Sequence, residues 1–270
     1  MESIDLGGMR IAYAETGAGE DTVIFSHSFL VDHRHFAPQI EALSGRFRVV
    51  AYDHRDHGAS GKAAGPYGLE DLVADAVATI ERTASAPCHF VGLSTGGFVG
   101  LRLALDHPHL VKSLVLMDTS ADREPWPQRF KYEAMFQVLR AFGFGPLIKT
   151  TMGLMLSPKT LGDPARRDEV AMWRDRICAN DRTALVRFGR AIFGRTSVLD
   201  RLGDLRVPTL VVVGADDKPQ PLFRARQMAD RIAGAQLAVI PDAGHLATVD
   251  APEAVTEVLA AFFEKQAETV

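Results

Sequence analysis

Short apolar runs alternate with amphipathic stretches along the first 117 residues of the chain. Apolar runs bounded by polar or glycine-containing segments are typical of buried strands, and they occur at Thr22–Ser26, Phe47–Tyr52, Cys88–Leu93 and Val111–Met117. Between them, apolar residues recur every three or four positions, which predicts helices over 36–43, 69–83 and 98–105. This alternation favours a parallel sheet that is covered by helices on both faces.

The two ends of the chain extend this pattern. Residues 3–16 are predicted to form a hairpin, because two strand-like segments flank Gly7-Gly8, a dipeptide that favours two-residue turns. Near the carboxyl end the alternation resumes, with strands predicted at 208–213 and 237–240 and helices at 222–232 and 253–264.

The segment between these two regions has a different pattern. Residues 121–205 contain no convincing strand, and their helical stretches are rich in arginine, aromatic residues and methionine. Because strand–helix alternation continues on both sides, we predict an all-helical insertion above a single α/β core. The predicted domains are a core over residues 1–120 and 206–270 and a helical cap over 121–205.

The composition restricts the class of protein. Of the 270 residues, 47% are hydrophobic and 24% are charged, which are ordinary values for a globular protein. A formal net charge of −4 gives no footprint for nucleic acid or an anionic membrane. No apolar run approaches the roughly 18 residues of a membrane span. With only Cys88 and Cys178, and no secretory pattern at the amino end, we expect a cytoplasmic protein with reduced thiols.

The candidate nucleophile lies between a predicted strand and a predicted helix. Gly92-Leu93-Ser94-Thr95-Gly96 matches the G-x-S-x-G pattern, in which a serine on a sharp strand-to-helix turn projects its hydroxyl. The glycines allow close approach of neighbouring backbone, and the helix directs its amino-terminal N–H groups at the reacting centre. We therefore predict that Ser94 is a nucleophile.

A serine hydroxyl needs a base to accept its proton and an acid to orient that base. In this architecture the expected order is serine, acid, histidine, each just past the end of a strand. The acid position offers two adjacent carboxylates, and we prefer Asp217 to Asp216 because it is followed by a proline at the commoner spacing. His245 follows the last strand and a glycine, so we predict it to be the base.

The oxyanion formed during acyl transfer needs two main-chain N–H donors. We predict Thr95, which follows the nucleophile, and Phe29, with Ser28 as the second choice for the latter position. The aromatic residues and methionines of 121–205 predict an apolar pocket over Ser94. The side chains that we predict to line this pocket are His27, Phe29, Trp126, Phe136 and Leu246.

With these motifs in order, the chain resembles the α/β-hydrolase superfamily over nearly its whole length. His27-Ser28-Phe29 resembles the H-G-x loop of that family, and 52–60 resembles its Y-D-x-R-G-x-G-x-S segment. The amino-terminal half is similar to 3-oxoadipate enol-lactonases, although Leu30 and Asp56 depart from their pattern. The resemblance implies a mostly parallel sheet with helices on both faces and a helical cap.

The same resemblance implies a chemistry. A serine at position 94, where related haloalkane and epoxide hydrolases have aspartate, implies an acyl-enzyme route without a cofactor. We expect a small-molecule ester or lactone substrate and no nucleic-acid or membrane partner, with a homodimer as an open alternative. Perhydrolysis and carbon–carbon bond hydrolysis remain open, as does a slow ligand-binding signalling protein that keeps the triad.

A metal-dependent lactonase is the remaining alternative. The segment Tyr52–His57 comes within one residue of the H-x-H-x-D-H pattern of dinuclear zinc enzymes, since Tyr52 stands where the first histidine belongs. The other ligands of that fold have no matching pattern here. We therefore expect no catalytic metal, and at most a weak cation site that involves His54 or His57.

Overall fold

The computed structural model describes residues 1–83 and 86–267. Its centre is one eight-stranded sheet in the order β1-β2-β4-β3-β5-β6-β7-β8. The strands are β1 (Glu2–Asp5), β2 (Arg10–Thr16), β3 (Thr22–Ser26), β4 (Arg48–Tyr52), β5 (Cys88–Leu93), β6 (Val111–Met117), β7 (Thr209–Gly214) and β8 (Gln236–Ile240). Pairs β1–β2 and β2–β4 are antiparallel and all other pairs are parallel. The predicted hairpin and the predicted mostly parallel sheet are both confirmed.

Helices cover both faces of the sheet, as expected for parallel strands. Alternate residues of a strand point to opposite faces, and the two hydrophobic cores follow this rule. Phe90 belongs to one core with α2 (Leu69–Thr83), α3 (Thr95–Asp106) and α9 (Leu222–Ala229). Val91 belongs to the other core with α1 (Ala37–Leu43) and α11 (Pro252–Ala267).

Residues 121–205, all of which the structure describes, contain helices and no strand. The helices are α4 (Trp126–Phe142), α5 (Ile148–Met155), α6 (Pro158–Gly162), α7 (Arg167–Cys178) and α8 (Arg182–Phe193). Arg166 donates hydrogen bonds to the carbonyls of Val249 and Asp250, and Arg187 forms a bidentate pair with Asp56. This helical segment is therefore bonded to the sheet region on two sides.

The register of the parallel strands brings their carboxyl ends to one edge. Ser26 pairs with Gly92, Leu93 with Met117, and Gly214 with Ile240. Residues that follow these positions must therefore lie close together, although they are far apart in sequence. A short helix, α10 (Ala247–Asp250), follows this edge after β8. Within the described residues, no helix has both the length and the apolar character that crossing a bilayer requires.

Candidate active site

Ser94 lies on a sharp turn between β5 and α3. Its backbone has φ 53° and ψ −104°, a conformation that L-residues rarely adopt. The turn is tight because a Cβ on Gly92 would overlap the main chain of Gly96, and a Cβ on Gly96 would overlap the carbonyl oxygen of Ser26. The serine N–H bonds the Met117 carbonyl at 2.8 Å, which ties the strained residue to β6.

His245 and Asp217 lie beside the serine in a chain of hydrogen bonds. His245 Nε2 is 2.9 Å from Ser94 Oγ, and His245 Nδ1 is 3.1 and 3.0 Å from the two carboxylate oxygens of Asp217. Because a carboxylate only accepts, Nδ1 carries the proton and Nε2 presents its lone pair to the serine hydroxyl. This arrangement can remove a proton from Ser94 during attack on a carbonyl.

The two adjacent aspartates have different surroundings. Asp217 is buried against His245, and its Oδ1 also accepts the Gln220 main-chain N–H at 2.9 Å. Asp216 is exposed, and its own N–H bonds the Ala243 carbonyl at 2.8 Å, which fixes the loop between β7 and the histidine. The structure thus brings Asp217, and not Asp216, to the imidazole.

A second buried carboxyl group interacts electrostatically with Asp217, and it was not predicted from the sequence. Asp118 follows β6 directly, and its Oδ1 accepts the Gly214 N–H at 2.7 Å. Burial and the neighbouring negative charge of Asp217 raise the pKa of Asp118 well above its usual value. Its Oδ2 is buried and has no hydrogen-bond partner among the described residues. The available signal was its position at the end of a central strand.

The two predicted oxyanion donors lie next to Ser94 in the chain and on the cavity wall, respectively. Thr95 is the first residue of α3, so its N–H has no partner within the helix. For the Phe29 N–H, residues 1–83 and 86–267 supply no hydrogen-bond acceptor. These two main-chain N–H groups are therefore without an acceptor among the described residues.

Histidines hold the loop that carries Phe29. His27 Nε2 accepts the His54 N–H at 2.8 Å, so its Nδ1 must be the protonated nitrogen that donates to the Ser28 carbonyl at 2.7 Å. His57 Nε2 accepts the N–H of Leu30, a residue with φ 72°, at 3.3 Å. Burial lowers the pKa of His57 to about 3, and it also lowers the pKa of His27. Both rings are therefore neutral near neutral pH.

An apolar cavity of about 100 Å³ opens over Ser94 and His245. Phe29 and Phe136 are among the residues that line it. Much of its wall comes from α4, α5 and α8, through Leu139, Leu154, Met155, Ile192 and Phe193. No lysine, arginine, aspartate or glutamate lines the cavity in the described part of the chain. The site therefore suits an uncharged, largely apolar group next to the reacting carbonyl.

Three predicted pocket residues do not line this cavity. Trp126 is 63% exposed at the start of α4, with the Arg129 guanidinium 4.8 Å from its ring centre. His27 is sealed beneath the loop by its bonds to Ser28 and His54. Leu246 is buried in the core, and its N–H bonds the Met155 carbonyl at 2.8 Å. These positions were predicted from residue type and neighbourhood, which do not give the direction of a side chain.

One group of potential cation ligands lies near the predicted histidine segment, and its side chains are already hydrogen-bonded within the protein. Ligand atoms of Asp32, His33 and Asp53 lie within 4.8 Å of one another. Asp53 accepts hydrogen bonds from the main chain and ring of His33 and from Ala59, while Asp32 is paired with Arg34. These bonds explain the fold of the segment without a ligand. The group lies apart from the cavity above Ser94, since none of the three residues lines it.

Comparison with known proteins agrees with this geometry. A family model described as alpha/beta hydrolase fold matches residues 21–252. A putative carbamate hydrolase, RutD, of Rhizobium rhizogenes is 30% identical over 260 residues, which are 92% of this chain and 94% of the relative.

Two solved structures are also similar. The enol-lactonase from Burkholderia xenovorans LB400 has a TM-score of 0.89 and 27% identity, with 97% of this chain and 100% of that chain covered. A thermophilic esterase from Thermogutta terrifontis has a TM-score of 0.90 and 25% identity, with 98% and 99% covered. Since the matches span most of its length, the chain belongs to the α/β-hydrolase fold family and is an enzyme of the hydrolase type.

Proposed function

We propose that the protein is a serine hydrolase that cleaves a carboxylic ester or lactone through an acyl-enzyme. The observation that carries the proposal is the bonding of one imidazole on both sides. His245 Nε2 is 2.9 Å from Ser94 Oγ, while Nδ1 is bonded to the buried Asp217. The reacting hydroxyl lies at a cavity rather than in the core, so a substrate can reach it.

In the acylation step, Ser94 Oγ attacks the carbonyl carbon while its proton moves to His245 Nε2. The carbonyl oxygen becomes an oxyanion that accepts hydrogen bonds from the Phe29 and Thr95 N–H groups. Asp217 holds the ring orientation and stabilises the imidazolium. When the tetrahedral intermediate collapses, the bond to the alcohol oxygen breaks, and that oxygen takes the proton from Nε2.

Deacylation repeats these steps with water as the nucleophile. Water gives a proton to His245 Nε2 and attacks the acyl carbon. Collapse of the second intermediate returns that proton to Ser94 Oγ and releases the carboxylic acid. For a lactone, acid and alcohol remain in one molecule, so the same residues perform both reactions. The similar enol-lactonase and esterase support this choice of substrate class.

We further propose that α4–α8 act as a cap that selects the substrate. These helices supply much of the cavity wall, whereas the predicted triad and oxyanion donors come from the loops around the sheet. The substrate is a small molecule of the cytoplasm in this proposal. An apolar wall excludes water from the acyl-enzyme except for the molecule that resolves it.

The proposal is tested by turnover of a short p-nitrophenyl ester and of a matched lactone. We expect Ser94→Ala to lower kcat by about 10³-fold or more. The control is Ser3→Ala, which alters an exposed serine of β1 remote from the cavity. Full activity in pure Ser94→Ala protein would refute the proposal.

A further inference from the structure

Gln220 is the side-chain amide among the described residues that line the cavity. Gln220 lines it together with Ser94 and His245, and it is only 5% exposed. Its main-chain N–H donates to Asp217 Oδ1 at 2.9 Å, so the residue is held three positions after the acid of the hydrogen-bond chain. A buried amide at such a place needs partners for both ends of its side chain.

The orientation of this amide follows from its one protein partner. Arg224 Nη1 lies 3.1 Å from Gln220 Oε1. A guanidinium only donates hydrogen bonds, so the amide oxygen must face it and the NH₂ group must lie at the other end. Among the described residues, Gln220 Nε2 has no hydrogen-bond acceptor. The atom is not fully buried, since it is absent from the fully buried side-chain atoms that lack a partner. The NH₂ group is therefore unpaired among the described residues, on a side chain that lines the cavity.

A buried charge cluster fixes Arg224 in turn. Arg224 Nη1 is 3.3 Å from Ser120 Oγ and 3.7 Å from Glu124 Oε2. Arg195 Nη2 is 3.1 Å from the same glutamate oxygen, and the Arg195 guanidinium lies 3.8 Å from the ring centre of Phe98. Two cations and one anion leave a net positive charge behind the amide oxygen. That charge polarises the amide so that its N–H groups are stronger donors.

We propose that Gln220 is a specificity-determining residue, whose Nε2–H donates a hydrogen bond to an ether or carbonyl oxygen on the acyl part of the substrate. This inference rests on the proposed function. We assign the contact to the acyl part because that group stays in the cavity after the alcohol leaves. An acyl chain without an acceptor leaves the donor unpaired, which penalises the all-carbon analogue.

The test uses two p-nitrophenyl esters of equal chain length, the butyrate and the methoxyacetate, in which an ether oxygen replaces one methylene. The quantity measured is the ratio of kcat/KM for methoxyacetate to kcat/KM for butyrate. Intrinsic reactivity of the esters contributes equally for every variant, so it cancels when ratios are compared. We expect Gln220→Met to lower the ratio about 10-fold, which corresponds to one hydrogen bond of about 1.4 kcal/mol.

The matched control is Gln137→Met, which makes the same change at an exposed glutamine of α4. We expect no change of the ratio there. If Gln220→Met does not fold, Arg224→Gln replaces it, because this variant keeps Gln220 but removes the cation that orients and polarises the amide. We expect the ratio to fall about threefold in Arg224→Gln, because the Gln220 amide remains but is less well oriented and less polarised.

The outcomes separate the two proposals. A ratio that is equal in wild type, Gln220→Met and Gln137→Met, with both esters turned over, overturns the role of Gln220 and leaves the proposed hydrolase intact. A wild-type protein that cleaves neither these esters nor the matched lactone refutes the proposed function and this inference together. A lowered ratio in Gln220→Met alone supports the inference.

Discussion

The two sides of the cavity are built on different physical principles. On the sheet side, hydrogen bonds fix Ser94, Asp217 and His245, and each follows the end of a strand. On the helical side, between α4 and α8, the wall consists of side chains held by packing, such as Phe136 and Ile192. Directional bonds define where an atom must be, whereas packing defines only a volume. Substitutions on the sheet side are therefore expected to lower kcat sharply. Substitutions on the helical side are expected to change substrate preference gradually.

The sheet side is probed most strongly at the acid of the proposed triad. We expect Asp217→Asn to lower kcat by about 10⁴-fold, because an amide in place of the carboxylate favours the wrong imidazole tautomer. Steady-state turnover of a p-nitrophenyl ester measures the effect. The neighbouring Asp216→Asn is the control, and we expect its activity within about twofold of wild type since Asp216 is exposed and away from the imidazole. Equal losses in both variants would contradict the assignment of the acid.

The helical side is probed by removing a ring from the wall. Phe136 is buried, lines the cavity and would contact any Cβ added at Gly189. We expect Phe136→Ala to lower the free energy of unfolding by about 3 kcal/mol and to shift ester preference towards longer acyl chains. Chemical denaturation and a series of p-nitrophenyl esters measure the two effects.

Trp126→Ala is the matched control for that experiment. The tryptophan lies on the same helix but is 63% exposed and outside the cavity. We expect its free energy of unfolding to change by less than about 0.5 kcal/mol, with the chain-length preference unchanged. A larger shift of preference in Trp126→Ala than in Phe136→Ala would place the substrate elsewhere.

The lowered pKa of a buried histidine predicts how the free energy of unfolding depends on pH. Burial lowers the pKa of His89 to about 4, so the folded protein binds its proton less readily than the unfolded chain, whose histidines titrate near 6.5. The stabilising effect of the neutral ring is complete above pH 6.5 and is lost as the pH falls towards 4. One such histidine contributes up to about 1.4 kcal/mol per pH unit to that loss.

His89→Gln isolates this contribution, because His89 bonds Ser113 and lies away from the cavity. We expect a shallower decline in the free energy of unfolding between pH 6.5 and 4, measured by denaturant titration at several pH values. His109→Gln changes an exposed histidine and serves as the control, with the wild-type slope expected. Identical slopes in His89→Gln and wild type would contradict this account of His89.

The smallest effect on turnover is expected at the second buried carboxyl group. Because the raised pKa of Asp118 favours the neutral carboxyl, an amide of the same shape can keep the bond from the Gly214 N–H. We expect Asp118→Asn to retain kcat within about threefold.

The same variant tests stability. Because the pKa of Asp118 is higher in the folded protein than in the unfolded chain, its carboxyl group stabilises the fold fully only below the unfolded pKa, and this contribution is lost as the pH rises. We therefore expect higher stability of Asp118→Asn at pH 7, by thermal or chemical denaturation. A loss of kcat as large as that of Asp217→Asn would show that Asp118 itself is ionised and essential.

The difference between the two sides also explains what the sequence could predict. The strands, the hairpin and the alternation of strands with helices follow from local apolar patterns and turn residues. Ser94, Asp217 and His245 were predicted from their places after strand ends. Helix α9 ends at Ala229, three residues before the predicted end. The Ile232 N–H still donates to the Met228 carbonyl, so one helical hydrogen bond lies beyond the regular helix. Such boundaries depend on how a terminus packs, which periodicity does not specify.

The cavity could be predicted as apolar but not residue by residue. Trp126 and Phe136 lie on one helix and are both aromatic, yet only Phe136 faces Ser94. Gln220 and Arg224 are polar residues without a motif, and their role depends on the distant Glu124 and Arg195. Contacts between segments that are about 100 residues apart are set by tertiary packing, and one sequence carries no local signal of them.

In the proposed mechanism, His245 activates the hydroxyl of Ser94. Intact mass spectrometry after treatment with a serine-directed organophosphonate tests it most directly, since only an activated serine reacts quickly with such a reagent. We expect a single adduct on wild type, none on Ser94→Ala, and a parallel loss of ester turnover in the treated wild type. An unmodified wild-type protein, or an adduct that persists in Ser94→Ala, would contradict it.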